Sequence, residues 1–291
     1  MPSFNFDPAA PCAAQHFGIW SVEPQWMSDA IFAVNSGVMK PLSQEELDAR
    51  RSEPFAVAPG GIAVVSIHDQ ITKGGSSFGG TSSLFARKAI RLAESDESIN
   101  GIMLHIDSPG GTAAGTQELA EAVAQTTKPI RAHIDDLGAS AAFWVASQAD
   151  TVTVNEAGEV GSIGTLLVVS DSSKAAEDAG VKVHVISTGE FKGMGAPGTE
   201  VTEDMLAILQ ERVDDINKLF LKAVSFGREL SGEDLSAVSD GRVFISHKAL
   251  TLGLVDGVSS FGDALNDFAS TVKETESAAR ARARVARARL T

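Results

Sequence analysis

The sequence has little cysteine, and Cys12 is the one thiol among 291 residues. A single thiol cannot form an internal disulfide, and it excludes a zinc site built from several cysteines. We interpret Cys12 as incidental rather than catalytic, because an isolated cysteine usually serves as a small apolar side chain. This usage fits a reducing compartment, so we expect a cytoplasmic protein.

Long apolar runs are missing as well. The first 30 residues have no basic start followed by a continuous apolar core, and no uncharged apolar run of 18 residues occurs anywhere in the chain. A secretory signal needs the first pattern and a membrane-spanning helix needs the second. We therefore predict neither an export signal nor contact with a membrane.

Positive charge is scarce outside the C-terminus. The formal net charge is −14, although five arginines between Arg280 and Arg289 contribute +5, so residues 1–279 carry −19. An acidic body disfavours nucleic-acid binding by the main domain. The arginine-rich tail could contact a polyanion or an acidic partner; the alternative is a solvated, partly helical Ala/Arg tail.

The chain divides into three predicted regions. Residues 1–58 contain scattered apolar positions and indicate a helical N-terminal extension with a linker, in which we expect Trp20 and Trp26 to pack onto the main domain. Residues 59–268 alternate short apolar runs with helical stretches, and residues 269–291 form the tail. The alternation predicts an α/β fold of repeated βαβ units with a mainly parallel sheet.

The apolar runs predict strands over Ile62–Ile67, Gly101–Ile106, Lys128–Ile134, Thr151–Val154, Thr165–Ser170, Val181–Ile186, Val243–Ile245 and Leu254–Asp256. Helices are predicted over Ser82–Glu94, Thr116–Gln125, Ala139–Gln148, Lys174–Ala179, Thr202–Phe226 and His247–Leu252. The longest of these helices carries an apolar stripe, which we expect to face the core or another subunit.

A paired-glycine turn follows one buried strand, in the run Asp107-Ser108-Pro109-Gly110-Gly111. Paired glycines let the backbone turn tightly and present an N–H group with no Cβ in the way, as an oxyanion hole requires. The Gly111 N–H is the candidate donor. An ordinary strand-to-helix turn is the alternative.

Ser140 begins a predicted helix within a run of small residues. A serine at this position could act as a nucleophile, and the free N–H of Ala141 could be a second oxyanion donor. The alternative is a serine that caps the helix.

A nucleophilic serine needs a base. His105, His133 and His184 lie within strand-like runs and are interpreted as structural residues. Lys192 follows in a glycine-rich loop between Phe191 and Met194, where burial against apolar neighbours would favour the neutral amine that a base requires. Ser162 could hydrogen-bond that amine. A solvated loop lysine and a turn serine are the respective alternatives.

In this order and spacing, the motifs resemble the S49 peptidases of the signal peptide peptidase A type. Ser162 lies 22 residues after Ser140 and Lys192 lies 52 after it. The resemblance covers about residues 60–260 and implies the fold shared by the Clp protease and crotonase. It also implies a Ser140–Lys192 dyad assisted by Ser162, an oxyanion hole of Gly111 and Ala141, and no metal or cofactor.

The resemblance is closest to the phage minor capsid protein C group, the head maturation proteases. It implies a homo-oligomeric endopeptidase that processes capsid, portal or scaffold proteins, in the host cytoplasm or the prohead. Two alternatives stay open, namely a non-catalytic capsid or scaffold assembly component that retains the fold, and a bacterial peptidase that degrades signal peptides.

Overall fold

A computed structural model describes residues 19–38, 41–43, 45–46, 53–76, 78–189 and 191–273. Cys12 and the arginines of the tail lie outside these residues, so the predictions made for them stay predictions.

The strands and helices follow the predicted alternation. In chain order the strands are β1 (Trp20–Val22), β2 (Ala56–Ala58), β3 (Ile62–His68), β4 (Ile71–Thr72), β5 (Thr81–Ser82), β6 (Gly101–Ser108), β7 (Gly110–Thr112), β8 (Ile130–Ala139), β9 (Thr151–Val154), β10 (Glu159–Gly161), β11 (Val243–Ile245) and β12 (Gly257–Val258). The helices are α1 (Pro24–Asn35), α2 (Ser83–Ser95), α3 (Thr116–Ala124), α4 (Ala141–Ala146), α5 (Ser173–Asp178), α6 (Glu203–Gly227), α7 (Gly232–Val238), α8 (Ser246–Thr251) and α9 (261–273).

The main sheet has eight strands, and its longest path runs β11-β10-β8-β6-β3-β2, with β9 pairing β8 and β12 pairing β9. β3, β6, β8, β9, β10 and β12 pair in parallel, while β2 and β11 are antiparallel to their neighbours. Helices α2 and α3 connect successive parallel strands, as βαβ units require. The predicted α/β class with repeated βαβ units is confirmed.

A smaller sheet joins the N-terminal extension to the paired-glycine motif. Its order is β1-β7-β4-β5, and β1 runs antiparallel to β7. Trp20 is 6% exposed, so its predicted packing onto the main domain is confirmed, whereas Trp26 is half-buried. The extension was predicted to be helical, and it contains helix α1 preceded by this strand. An isolated run of three residues carries no periodic signal from which a strand could be predicted.

All six residues of α4 are buried in the main hydrophobic core. Trp144 stacks on Phe220 of α6 with ring centroids 4.7 Å apart. An aromatic side chain that buries about 150–250 Å² contributes roughly 4–6 kcal/mol of hydrophobic stabilisation. This packing fixes the helix that follows Ser140.

A second core cluster holds α9 against the other face of the sheet. Phe268 and Val272 pack there with Ile62 and Met103. Helix α9 therefore runs across residue 268, where the sequence places the end of the main domain. The division into three regions stays a prediction.

Two predicted strands are wrong, and the strand predicted near Leu254–Asp256 begins just after these residues, as β12. Thr165–Ser170 and Val181–Ile186 contain no strand, apart from a single bridge between Leu166 and Trp20. Their runs of β-branched residues favour extended backbone, but a strand also needs a neighbour that pairs with its N–H and C=O groups. We call residues 165–201, which include α5, the lysine segment. Several of its apolar side chains are exposed, and Ile186 is 98% exposed.

Candidate active site

Ser140 occupies a sharp turn between β8 and α4. Its backbone has φ 55° and ψ −116°, a conformation that costs a residue with a Cβ on the order of 1–3 kcal/mol. Its N–H donates to the Gly161 carbonyl at 2.8 Å, and its own carbonyl accepts from the Trp144 N–H at 2.8 Å. The side chain makes no capping hydrogen bond to α4. The structure therefore does not support the alternative, in which the Ser140 side chain caps the helix.

The Ser140 hydroxyl instead faces Ser21 of β1. The two Oγ atoms are 2.6 Å apart, and either can be the donor. The Ser21 hydroxyl also donates to the Gly164 carbonyl at 3.1 Å, and the Ser140 hydroxyl can reach the same oxygen at 3.4 Å. Ser21 is completely buried and Ser140 is 1% exposed. Sequence reasoning missed Ser21, because only long-range pairing of β1 with β7 brings it to this position.

The paired glycines lie beside the start of α4. Gly110 has φ 100°, and a Cβ built on it would lie 2.8 Å from the Ala141 nitrogen and would clash with the Ser21 carbonyl oxygen. A Cβ on Gly111 would clash with the backbone of Ile71. Both positions therefore require glycine for close backbone approach. This arrangement places β7, which carries the candidate donor Gly111, beside the backbone nitrogen of Ala141.

Ser162 is connected to the Ser140 turn through the backbone. It follows Gly161, which accepts the Ser140 N–H, and its own N–H donates to the Arg242 carbonyl at 2.7 Å. Ser162 is 4% exposed and has φ 48°. Within the described part of the chain, its hydroxyl has no hydrogen-bond partner. This hydroxyl can therefore bond a further donor or acceptor.

Lys192 is not brought to the two serines. It lies in an exposed turn of the lysine segment, where its N–H donates to the Gly189 carbonyl at 3.2 Å. Across the described ranges, no hydrogen bond or ion pair joins its amine to another residue. The structure brings Ser140, the candidate nucleophile, together with the candidate oxyanion donors but leaves Lys192, the predicted base, exposed to solvent.

His68, His105 and His133 form a separate polar cluster, whereas His184, which was interpreted as structural, is exposed. His105 Nε2 lies 2.6 Å from Asp135 Oδ2, and His133 hydrogen-bonds Thr153 and Asn155. Burial lowers the pKa of His133 and, together with the nearby His105, the pKa of His68. None of these contacts involves Ser140, which agrees with a structural role for these rings. No group of described His, Cys, Asp and Glu side chains is placed to hold a metal ion.

A cavity of about 300 Å³ lies away from this chemistry. It is bounded by β2, β3, α2 and the loop before β5, and its lining includes none of the candidate site residues. Across the part of the chain that the structure describes, no helix combines the length and apolarity needed to cross a membrane.

Comparisons with known proteins place the motifs in one family. The model of peptidase family S49 matches residues 122–275, which include Ser140, Ser162 and Lys192. The capsid assembly protease C of Escherichia phage lambda is 28% identical over 263 residues, covering 87% of this chain and 59% of the relative. Protease 4 of Haemophilus influenzae is 27% identical over 226 residues, covering 76% of this chain and 36% of the relative.

The head–tail preconnector protein of Enterobacteria phage P21 is 29% identical over 189 residues, 63% of this chain and 37% of the relative. The chain thus spans less than two thirds of the length of these curated relatives. Among solved structures, a ClpP1 mutant from Listeria monocytogenes matches 69% of this chain at 14% identity and a TM-score of 0.47. Because the family model spans more than half of the sequence, the chain belongs to peptidase family S49.

Proposed function

We propose that this chain is a serine endopeptidase that hydrolyses peptide bonds through an acyl-enzyme on Ser140. The observation that carries the proposal is the Ser140 turn itself. A strained, buried serine that does not cap its helix, placed beside glycines that admit no side chain, is built for close approach of a substrate carbonyl.

In the proposed mechanism, Ser140 Oγ attacks the scissile carbonyl and a neutral Lys192 accepts its proton. The N–H groups of Gly111 and Ala141 hold the oxyanion of the tetrahedral intermediate. Lys192 then gives the proton to the leaving amine, and water hydrolyses the ester in the same way. Ser162, whose hydroxyl has no other described partner, orients the lysine. No metal or cofactor takes part in this scheme.

The exposed position of Lys192 bears on how the dyad forms. The mechanism requires the lysine segment to fold against the Ser140 turn, and its apolar side chains are exposed in the single chain. We propose that a homo-oligomer orders this segment, because a second copy would bury those side chains and offer a strand partner.

Light scattering on the purified chain should give a mass of several protomers. Ile186→Asp should lower that mass without lowering the free energy of unfolding of a protomer.

The proposed substrates are capsid, portal or scaffold proteins cleaved during head maturation. The phage lambda relative, which covers 87% of this chain, is named as a capsid assembly protease. Mass spectrometry of head proteins co-expressed with the wild type or with Ser140→Ala tests this. Fragments that appear only with the wild type support the proposal. Cleavage of exported signal peptides alone would favour the alternative, a bacterial peptidase that degrades signal peptides.

Covalent labelling separates the enzyme from a non-catalytic assembly component. A fluorophosphonate probe should phosphonylate Ser140 in the wild type, with loss of fluoride, and the label should disappear in Ser140→Ala. Ser147 is a suitable control, because it is equally buried and its hydroxyl donates to the Trp144 carbonyl. Ser147→Ala should keep the label. A wild type that never reacts would identify a structural relative.

A further inference from the structure

Strand β1 lies in the candidate active site in the manner of a bound peptide. It pairs antiparallel with β7, with Ser21 opposite Gly111. On its other edge, the backbone N–H and C=O of Trp20 exchange two hydrogen bonds of 2.8 Å with Leu166. Peptides are commonly recognised by such strand addition, in which main-chain hydrogen bonds hold the peptide extended.

The ladder between β1 and β7 identifies the carbonyl that faces the oxyanion donors. The Glu23 N–H donates to the Pro109 carbonyl at 2.7 Å, and the Ala113 N–H donates to the Ile19 carbonyl at 3.0 Å. In an antiparallel pair, hydrogen-bonded positions recur every second residue, so the intervening pair of Ser21 and Gly111 is hydrogen-bonded. The Gly111 N–H therefore donates to the Ser21 carbonyl oxygen.

Two further contacts place the same carbonyl group close to Ser140 and Ala141. A Cβ on Gly110 would meet both the Ser21 carbonyl oxygen and the Ala141 nitrogen, so the second candidate donor is close by. The Ser21 hydroxyl lies 2.6 Å from the Ser140 hydroxyl. Trp20 and Val22, on either side of Ser21, are 6% and 1% exposed. The side chains of β1 are thus held in buried pockets around one peptide bond.

The geometry points to Ser21–Val22 as a bond that this peptidase cleaves in its own chain. The inference rests on the proposed function and goes beyond it, because it names β1 as an internal substrate. Ser140 Oγ forms an ester with the Ser21 carbonyl carbon, and its proton passes through the base to the Val22 nitrogen as the C–N bond breaks. One water molecule then hydrolyses the ester, which leaves a Ser21 carboxylate and restores the Ser140 hydroxyl.

Cleavage also has a consequence for other substrates. After the bond, Glu23 still pairs with Pro109, and the chain then turns into α1, whose Gln25 and Trp26 N–H groups donate to the Glu23 carboxylate. The residues before the bond are held by β7, by the backbone of Leu166 and by the hydrogen bonds of the Ser21 hydroxyl. Their release would vacate the position between β7 and Leu166, where another extended peptide can pair.

Intact-mass spectrometry and N-terminal sequencing of the purified full chain, followed over time, test the inference. The expected product begins at Val22, and it should be absent from Ser140→Ala. Ser21→Ala keeps a small residue before the bond and should still be cleaved there. Ser21→Glu should not be cleaved at this bond, because a buried carboxylate beside Ser140 would be neither solvated nor paired.

Fluorophosphonate labelling on the same samples separates failure of the inference from failure of the proposed function. If Ser140 is labelled while the wild type and Ser21→Ala both keep their full mass, β1 is a permanent strand and self-cleavage is overturned. If the product beginning at Val22 also forms in Ser140→Ala, a contaminating protease makes it, and the inference is again overturned. If Ser140 is never labelled, the proposed function fails and self-cleavage with it.

Discussion

The Ser140 turn and the lysine segment, both within the region matched by the family model, differ in how completely one chain builds them. Ser140 is 1% exposed and lies between a ten-residue strand and a buried helix. The lysine segment has one short helix, and Ile186 is 98% exposed. The candidate nucleophile is therefore held by the core of the chain, whereas its proposed base lies on an exposed segment outside that core.

Replacing Ser140 should give the largest effect on activity. Ser140→Ala removes the attacking oxygen, so cleavage of a peptide substrate should fall by about 10³-fold or more. The fold should persist, because alanine fills the turn and the hydroxyl makes no capping bond. Initial rates and thermal melts measure the two effects. Ser147→Ala is the control and should lose about 1–2 kcal/mol of stability but little activity; equal activity losses in both variants would contradict the assignment.

Variants of Lys192 test the role of the lysine segment. Lys192→Ala should lower the rate of peptide cleavage by about 10²–10⁴-fold, the usual contribution of a positioned base. Lys192→Arg should be equally poor, because a guanidinium does not give up its proton at neutral pH. Lys182 is also exposed in the lysine segment, so Lys182→Ala is the matched control and should keep its rate. A Lys192→Ala variant that cleaves at the wild-type rate would exclude the dyad.

The local sequence was enough to predict the region around the Ser140 turn. The small residues from Ala139 to Ala142 and the paired glycines have their conformations imposed by neighbours within a few positions, and the structure places both motifs at strand ends as predicted. The repeated βαβ pattern was predicted equally well, because burial on both faces of a parallel strand leaves a continuous apolar run.

The conformation of the lysine segment and the position of Ser21 depend on pairing between residues that are distant in sequence. Local sequence patterns do not predict such pairing. Val181–Ile186 has the composition of a strand, yet within one protomer no described strand pairs with it. Ser21 carries no motif, and it reaches Ser140 only because β1 pairs with a strand some 90 residues later. Contacts of such sequence separation are fixed by the whole fold rather than by propensity.

The two ends of helix α6 show the same contrast between buried and exposed residues, which can be measured as a difference in the free energy of unfolding. Phe220 is completely buried and stacks on Trp144, whereas Leu206, near the other end of the helix, is 48% exposed. Phe220→Ala should lower the free energy of unfolding by about 3–5 kcal/mol, because it leaves a cavity under α4. Leu206→Ala should change it by less than about 1 kcal/mol. Urea unfolding measures both, and similar losses would mean that the exposed end of α6 is packed in solution.

The smallest expected effect concerns His133, in the strand that leads into the Ser140 turn. His133 lies in β8, and burial lowers its pKa, so the folded state disfavours the protonated ring. The unfolded chain protonates this ring as pH falls below about 6.5, whereas the folded chain does so only at lower pH. Stability from His133 is therefore fully present above that pH and is lost as pH falls through the window between the two pKa values.

Urea unfolding of wild type and His133→Gln between pH 7.5 and 5.5 measures this loss. The wild type should lose stability with a slope of at most about 1.4 kcal/mol per pH unit from this group, and the variant should lose less. Contributions from His68 and Asp107 are shared by both chains and cancel in the difference. Equal losses of stability in the two chains over this pH range would mean that burial of the His133 ring does not disfavour its protonated form.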